Sequence, residues 1–260
     1  MRLILTQPQL KAFDTRHSAD AIHAALLPLH GTLGDEDIVV LPEHIAFDGD
    51  AAGYVSFVSG LAREFGCNIV GGSHHEARGE GRVNTGIAVT PDGATAGRYD
   101  KLRPYADERA RVRPGDILGE FELAGLRILT LVCADFWFSD LFARATVLPD
   151  LVLVPALSVT RKSAPDYSRD LWRHLAVTRA YEFGVYVGIS DWGHPSQLPS
   201  LFASGVGGFA DPTGLDPNTF FTSIGEAPMA SFVLDRSALD AFREDRRKRG
   251  FFWNVGYPER

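Results

Sequence analysis

Four side chains in this sequence combine a nucleophile with groups able to activate it: Cys133, Glu43, Lys101 and Glu108. Glu43 follows the apolar run Ile38-Val39-Val40-Leu41-Pro42, and Lys101 closes Tyr99-Asp100-Lys101. Cys133 ends Ile128-Leu129-Thr130-Leu131-Val132, and Glu108 lies in the loop after Lys101. Open α/β sheets hold their sites outside the carboxyl ends of strands, where loops converge. A thiol attacks only as thiolate and has an ordinary pKa of about 8.5, so it needs help at neutral pH. A carboxylate can take its proton, and an ammonium nearby favours the anion. Such a set suits nucleophilic attack on a resistant carbon centre. Taken singly, each residue has a plainer explanation. A cysteine after an apolar strand is more often inert core, and a lone Glu or Lys usually faces water.

The elements that must position these groups are legible as short apolar runs alternating with amphipathic stretches. Leu3–Thr6, Ile38–Leu41, Asn68–Gly71, Ile128–Val132, Leu151–Val154 and Val185–Ile189 read as buried strands. Tyr54, Val58, Leu61 and Phe65 recur at helical spacing, with Gly66 as the stop. Leu171, Leu175 and Thr178 repeat the pattern, with Asp166 or Ser168 to cap the helix and Gly184 to end it. Val83–Thr90 and Thr95–Lys101 flank Pro91-Asp92-Gly93, whose turn chemistry suits a hairpin. The result is an α/β protein. No repeat, low-complexity segment or linker divides it, so one domain over residues 1–260 is the economical expectation.

Composition narrows the classes of function. The 260 residues are 45% hydrophobic and 23% charged, as expected of a globular chain. The net charge of −7 argues against a nucleic-acid surface. The one basic cluster, Arg246-Arg247-Lys248-Arg249, reads as a solvated helix end. Two cysteines, Cys67 and Cys133, make neither a disulfide framework nor a cysteine zinc site. Cys67 precedes an apolar strand and is expected to be buried. No apolar run reaches the roughly 18–20 residues of a membrane span, and the N-terminus reads as a strand rather than a signal peptide. A cytoplasmic protein without membrane or nucleic-acid partners is the expectation.

Together the pieces resemble the nitrilase superfamily, the carbon–nitrogen hydrolases that use a Glu-Lys-Cys triad. The resemblance rests on Val-Val-Leu-Pro-Glu43, Asn84-Thr85 before the Pro-Asp-Gly turn, Tyr99-Asp100-Lys101-Leu102-Arg103-Pro104 and Leu-Val-Cys133-Ala-Asp135. Downstream come Arg179-Ala180-Tyr181-Glu182 and Asp211-Pro212-Thr213-Gly214. It implies an αββα four-layer sandwich, a homodimer or larger homo-oligomer, and a small-molecule amide as substrate. By position, Glu43 matches the general base, Lys101 the catalytic lysine, Cys133 the nucleophile and Glu108 an additional glutamate. The backbone N–H of Ala134 would join Lys101 in stabilising the charge that develops on attack. No metal or organic cofactor is implied.

The sequence departs from the family pattern after the cysteine, where it reads Cys133-Ala134-Asp135-Phe136-Trp137-Phe138-Ser139-Asp140. Trp137 stands where several members carry an arginine, whose planar fork an indole cannot replace. The expectation is an apolar or aromatic acyl group, with Ala134, Asp135, Phe136 and Trp137 at the substrate. Trp137 packing between sheet and helix is the competing reading. By analogy, Pro155–Lys162 should border the pocket, with Trp172 close to it. Arg179 and Glu182 are expected to be structural, on the helix that family members pack across subunits.

Alternatives to amide cleavage remain open. They are nitrile or N-carbamoyl hydrolysis, a catalytically silent binding or oligomerisation protein, and a metal phosphoesterase. Two histidine-containing clusters bear on the last. His74 and His75 with Glu76 resemble metal ligands, but neighbours on a strand point to opposite faces, and loop polarity explains the pair better. Asp48 and Asp50 with His44 read as an acidic loop.

Overall fold

A computed structural model describes residues 1–160, 162, 164–196, 198 and 201–252. In chain order, the first half contributes β1 (Arg2–Thr6), β2 (Ile38–Val40), β3 (Asn68–Val70), β4 (His74–Arg78), β5 (Gly81–Val89) and β6 (Thr95–Asp100). The middle contributes β7 (Gly119–Leu123), β8 (Leu126–Thr130), β9 (Leu151–Pro155), β10 (Val159–Thr160) and β11 (Tyr186–Ser190). Then come β12 (Phe202–Ala203), β13 (Gly208–Ala210), β14 (Phe221–Ser223) and β15 (Met229–Val233). The helices are α1 (Thr15–Leu26), α2 (Ala51–Phe65), α3 (Ser139–Ala143), α4 (Asp166–Phe183) and α5 (Arg236–Lys248).

The strands form two large sheets. One runs β15-β1-β2-β3-β5-β4, with β6 also paired to β5, and the other runs β14-β13-β11-β9-β8-β7. Each has a parallel centre, β1-β2-β3 in the first and β8-β9-β11 in the second. Antiparallel strands complete the flanks. Parallel strands are buried on both faces, which is why the sequence shows continuous apolar runs there rather than alternation.

Four layers follow from where those faces go. Ile4, Val39, Leu41 and Ile69 turn outward against Ile22 and Leu26 of α1 and Tyr54, Val58, Leu61 and Phe65 of α2. Their neighbours Leu3, Leu5, Ile38, Val40 and Val70 turn inward into a second core shared with β8, β9 and β11. That core continues through the second sheet to Phe142, Trp172, Ala176, Ala180 and Phe183 on α3 and α4. The order is helix, sheet, sheet, helix, the αββα sandwich expected. Gly188 lets the sheets approach closely, because a Cβ there would lie 2.8 Å from Leu3 Cδ2.

The helix limits match the sequence signals in part. Asp50 caps α2 by accepting from Gly53 N at 2.8 Å, and Gly66 ends it at φ 64°. Gly184 ends α4 at φ 62°, but Pro165 begins it and neither Asp166 nor Ser168 caps it. Its buried stripe is Trp172, Ala176, Ala180 and Phe183, while Leu171 is exposed. Leu171 and Leu175, expected on that stripe, lie one position before Trp172 and Ala176. The real stripe uses two alanines because α4 lies close against the sheet. The hairpin expected around Pro91-Asp92-Gly93 is β5 and β6, paired from Thr85↔Asp100 to Val89↔Thr95. Among the described residues no helix is long and apolar enough to cross a membrane.

Candidate active site

The site gathers the ends of β2, β6, β8 and β9. Pro42 and Glu43 follow β2, Lys101 follows β6, Cys133 lies three residues beyond β8, and Leu157 lies two beyond β9. Glu43 is 1% exposed and Lys101 2% exposed, so both charges are withdrawn from water. Burial of this kind is tolerable only with charged partners and hydrogen bonds. Lys101 Nζ supplies them, donating to Glu43 Oε1 at 2.7 Å and to Glu108 Oε2 at 2.6 Å. Glu43 Oε2 accepts from Leu157 N at 3.1 Å, and its backbone carbonyl accepts from Trp192 Nε1 at 2.6 Å.

Cys133 joins the cluster through the same loop. Its Sγ lies 3.7 Å from Leu157 O, so one residue touches both thiol and carboxylate. Cys133 has φ 49°, an uncommon conformation for a residue with a Cβ. It opens the short 3-10 turn Cys133–Trp137. Strain of this sort costs about 1–3 kcal/mol and persists where surrounding structure enforces it. Here the turn is enforced by Asp135, whose carboxylate accepts from Leu102 N at 3.0 Å and Arg103 N at 2.8 Å. The loop after Lys101 and the loop of Cys133 are thereby tied together.

The electrostatics set the resting protonation. Burial pushes the Cys133 thiol well above its ordinary range and the Glu43 charge adds to this, while Lys101 opposes them. Burial works against the Lys101 ammonium, yet Glu43, Cys133 and Glu108 together hold its pKa above the ordinary value. Glu108 is also opposed by burial, but a contact from His75 and the charge of Lys101 hold it well below the usual carboxylate range. The resting site is a thiol beside a Lys⁺ bracketed by carboxylates.

Two further residues complete the centre. Asn84 Nδ2 donates to Glu43 Oε1 and to Glu108 Oε1, each at 2.9 Å. His75 reaches Glu108 Oε1 with Nε2 at 3.5 Å, and its Nδ1 faces Asp48 Oδ2 at 3.4 Å. Burial lowers the His75 pKa, but the Asp48 and Glu108 carboxylates outweigh it and raise it to about 9. His74, on the opposite face of β4, stacks on Tyr54 at 4.0 Å. The opposed faces expected for this pair are observed, but loop polarity does not account for His75. A usable signal is register: His75 pairs with Asn84 across β4 and β5, and paired residues share a face. The acidic loop also resolves differently from its sequence reading, since Asp50 caps a helix while His44 and Asp48 turn toward the centre.

The residues expected at the substrate divide. Trp137 is 41% exposed and meets Trp172 edge-on at 5.6 Å. Phe136 is fully buried, stacked on Trp172 and beside Phe142, and belongs to the core rather than to a surface a substrate could reach. Asp135 is buried and ties the loop through the backbone bonds described above. Ala134 sits in the first turn after Cys133, where backbone N–H groups lack partners within the turn. Within Pro155–Lys162, Leu157 borders the thiol as expected, and Arg161 lies outside the described residues. Cys67 is buried, its thiol pushed up to about 12 chiefly by burial. Arg179 pairs with Glu182 at 3.0 Å on α4.

The family model described as carbon-nitrogen hydrolase matches residues 33–212. A hydrolase in the agr operon of Staphylococcus lugdunensis is 27% identical over 173 residues, 59% of this chain and 70% of that protein. A CN-hydrolase superfamily protein from Xanthomonas campestris, with an arsenic adduct in its active site, matches with a TM-score of 0.78 and 23% identity. The match covers 98% of this chain and 99% of that one. The amidase from Nesterenkonia sp. AN1, as a mutant showing Michael addition of acrylamide at the active-site cysteine, matches with a TM-score of 0.76 and 21% identity. It covers 96% of this chain and 99% of that one. At these identities the two solved structures speak for the fold.

Proposed function

This chain belongs to the carbon–nitrogen hydrolase family, and from that premise we propose that it cleaves the amide of a small molecule through a thioester on Cys133. The observation that carries the reading is Lys101 Nζ held between Glu43 at 2.7 Å and Glu108 at 2.6 Å, with Leu157 touching both Glu43 and the Cys133 sulfur. An ammonium fixed by two carboxylates beside a thiol is costly to bury, and clusters of shifted pKa mark functional sites.

In this mechanism Glu43 takes the Cys133 proton as sulfur attacks the carbonyl carbon, so the thiolate forms only when substrate is in place. The new negative charge on oxygen meets Lys101 Nζ and the Ala134 N–H. One such donor is worth about 3 kcal/mol of barrier. Glu43 then gives its proton to the departing nitrogen as the C–N bond breaks, leaving the thioester. It next takes a proton from water attacking that thioester, and collapse releases the acid and returns a proton to sulfur. Glu108 keeps Lys101 charged and in place. The Nesterenkonia amidase, a neighbour in fold, is in keeping with an amide substrate. Trp137 edge-on to Trp172 beside the cysteine turn supports an apolar acyl group.

We further propose a homodimer in the cytoplasm. Both cysteines are unpaired, which suits a reducing compartment. A cleft lined by Tyr181, Phe220, Arg246 and Phe251 on the α4 and α5 side offers a face for a second copy, testable by light scattering.

The reading is tested by assaying amides, carbamoyl compounds and nitriles for ammonia release, with intact-mass detection of an acyl-enzyme. Native protein is expected to release ammonia from amides, resist a chelator, lose activity to a thiol alkylator and gain acyl mass. Cys133→Ala is expected to remain folded and do neither reaction. Ammonia release by folded Cys133→Ala at the native rate would falsify the mechanism.

A further inference from the structure

Beside the catalytic groups, three side chains converge for which the proposed hydrolysis has no use as a set. His44 Nε2 lies 3.7 Å and His75 Nε2 3.5 Å from the same oxygen, Glu108 Oε1, and all three ligand atoms fall within 4.8 Å of one another. The two imidazole rings stand at 80° with centroids 4.5 Å apart. A tetrahedral zinc ion with ligands at about 2.0–2.1 Å sets them roughly 3.3 Å apart, so both contacts to Glu108 need close by only a few tenths of an ångström. The backbone fixes one arm of this set, since His44 adopts φ 55°, directly after Glu43.

Three independent features point to a cation. First, His75 Nδ1 faces Asp48 Oδ2 at 3.4 Å, and the His75 backbone N–H donates to Asp48 Oδ1 at 3.1 Å. A carboxylate on the far nitrogen orients the ring with Nε2 toward Glu108, as it does behind metal-bound histidines, and an ion binding there displaces the proton on Nε2. Second, Glu108 can accept an ion while keeping Lys101 and Tyr105 N on Oε2 and Asn84 on one side of Oε1, the ion replacing only its contact with His75. Third, three acidic side chains, Glu43, Glu108 and Asp48, line this neighbourhood against two basic partners, Lys101 and His75, so acidic groups outnumber basic ones. The side chains of His44 and His75 remain 21% and 17% exposed, so an ion can enter from solvent.

We propose that His44, His75 and Glu108 form a reversible site for a first-row divalent transition ion, with Zn2+ the best match, and that its occupancy shuts the catalytic pocket. Two imidazoles and one carboxylate with an open position are a zinc donor set. His44 Nε2 is also 3.5 Å from Glu43 Oε1, so the ion would sit against the base as well as against Glu108. It takes no part in the hydrolysis. Binding stands apart from the proposed reaction, whereas the inhibition rests on it.

The experiment uses the full-length chain as Cys133→Ala, which has no thiol at the site, titrated with Zn2+ by calorimetry and with Co2+ by visible absorption. We expect one equivalent to bind, with Co2+ d–d bands and no thiolate charge-transfer band. His75→Gln or His44→Gln should weaken binding beyond detection, and Asp48→Asn by at least about tenfold. Circular dichroism in chelator checks that each variant is folded. In the protein with Cys133 intact, Zn2+ should suppress turnover and a chelator should restore it. Two outcomes overturn the proposal: binding that vanishes in Cys133→Ala but persists in His75→Gln, which puts the ion on sulfur, or no binding to folded Cys133→Ala. Binding without any hydrolase activity in the native protein would leave this site standing and remove the functional reading instead.

Discussion

Asn84 holds both carboxylates of the centre with one amide group, 2.9 Å from Glu43 and 2.9 Å from Glu108. Two buried carboxylates repel, and here Lys101 and Asn84 together keep them at fixed separation. Hydrogen bonds to charged groups contribute about 1.5–3 kcal/mol each. Asn84→Ala is therefore expected to lower kcat by roughly 10–100-fold, on the scale of one such bond. KM should change less, since Asn84 acts on Glu43 and Glu108. Steady-state kinetics check this, and an unchanged kcat would remove Asn84 from the mechanism. At this scale the sequence reveals Glu43, Lys101 and Cys133, because each is of a reactive type at the end of a strand read from the sequence. Asn84 is visible only as part of a motif. His44, His75 and Leu157 are not legible as partners, because their contacts depend on cross-strand register, a positive φ and a backbone amide.

Among the elements, the turn between β3 and β4 carries most of the geometry. Gly72 has φ 66°, and a Cβ there would lie 2.0 Å from Pro42 O, the carbonyl just before Glu43. Its own carbonyl accepts from Tyr99 Oη at 2.6 Å, two residues ahead of Lys101. One glycine thus sets how the β2 and β6 ends approach. Gly72→Ala brings a left-handed penalty of about 1–2 kcal/mol and a clash with backbone that cannot rotate away. We expect it to fold with a lower Tm and to lose most activity, because Pro42 and Glu43 must shift together. Melting curves and kcat measure both effects, and a variant of native activity would show that this turn does not set Glu43. The parallel strands are readable from continuous apolar runs, and α2 from its spacing and terminal glycine. The buried face of α4 was not, since alanines carry little pattern. Strands β12 to β15 are short or half-exposed and give no period.

For the molecule as a whole, α5 lies beyond the 33–212 span of the family match, yet it is fastened to the second sheet. Its residues 246–249 were expected as a solvated helix end. Arg246 departs from this: it is 4% exposed, donates through Nε to Phe251 O, and lies over the Tyr181 ring. One turn earlier, Arg243 is 2% exposed and donates to Asp150 Oδ1 at 2.8 Å and to Gly184 O at 2.7 Å. Asp150 immediately precedes β9, so this contact ties the C-terminal helix to the strand that leads to Leu157.

Burial works against the Asp150 charge, but Arg127 and Arg243 outweigh it and pull the carboxyl down to about 2. A carboxyl lowered in the folded chain contributes stability that is present above the ordinary value near 4 and is lost as pH falls through about 2. Arg243→Met removes a buried cation from Asp150 and keeps the Arg127 ion pair in place. Breaking such a pair costs about 3–5 kcal/mol, with Arg127 holding the loss toward the lower end. Urea unfolding should show that loss at pH 7 and a narrowing gap between native and variant from about pH 4 downward, because protonated Asp150 no longer rewards either arginine. A gap of constant size down to pH 3 would mean that Arg243 holds α5 by packing and its bond to Gly184, with the ion pair contributing nothing.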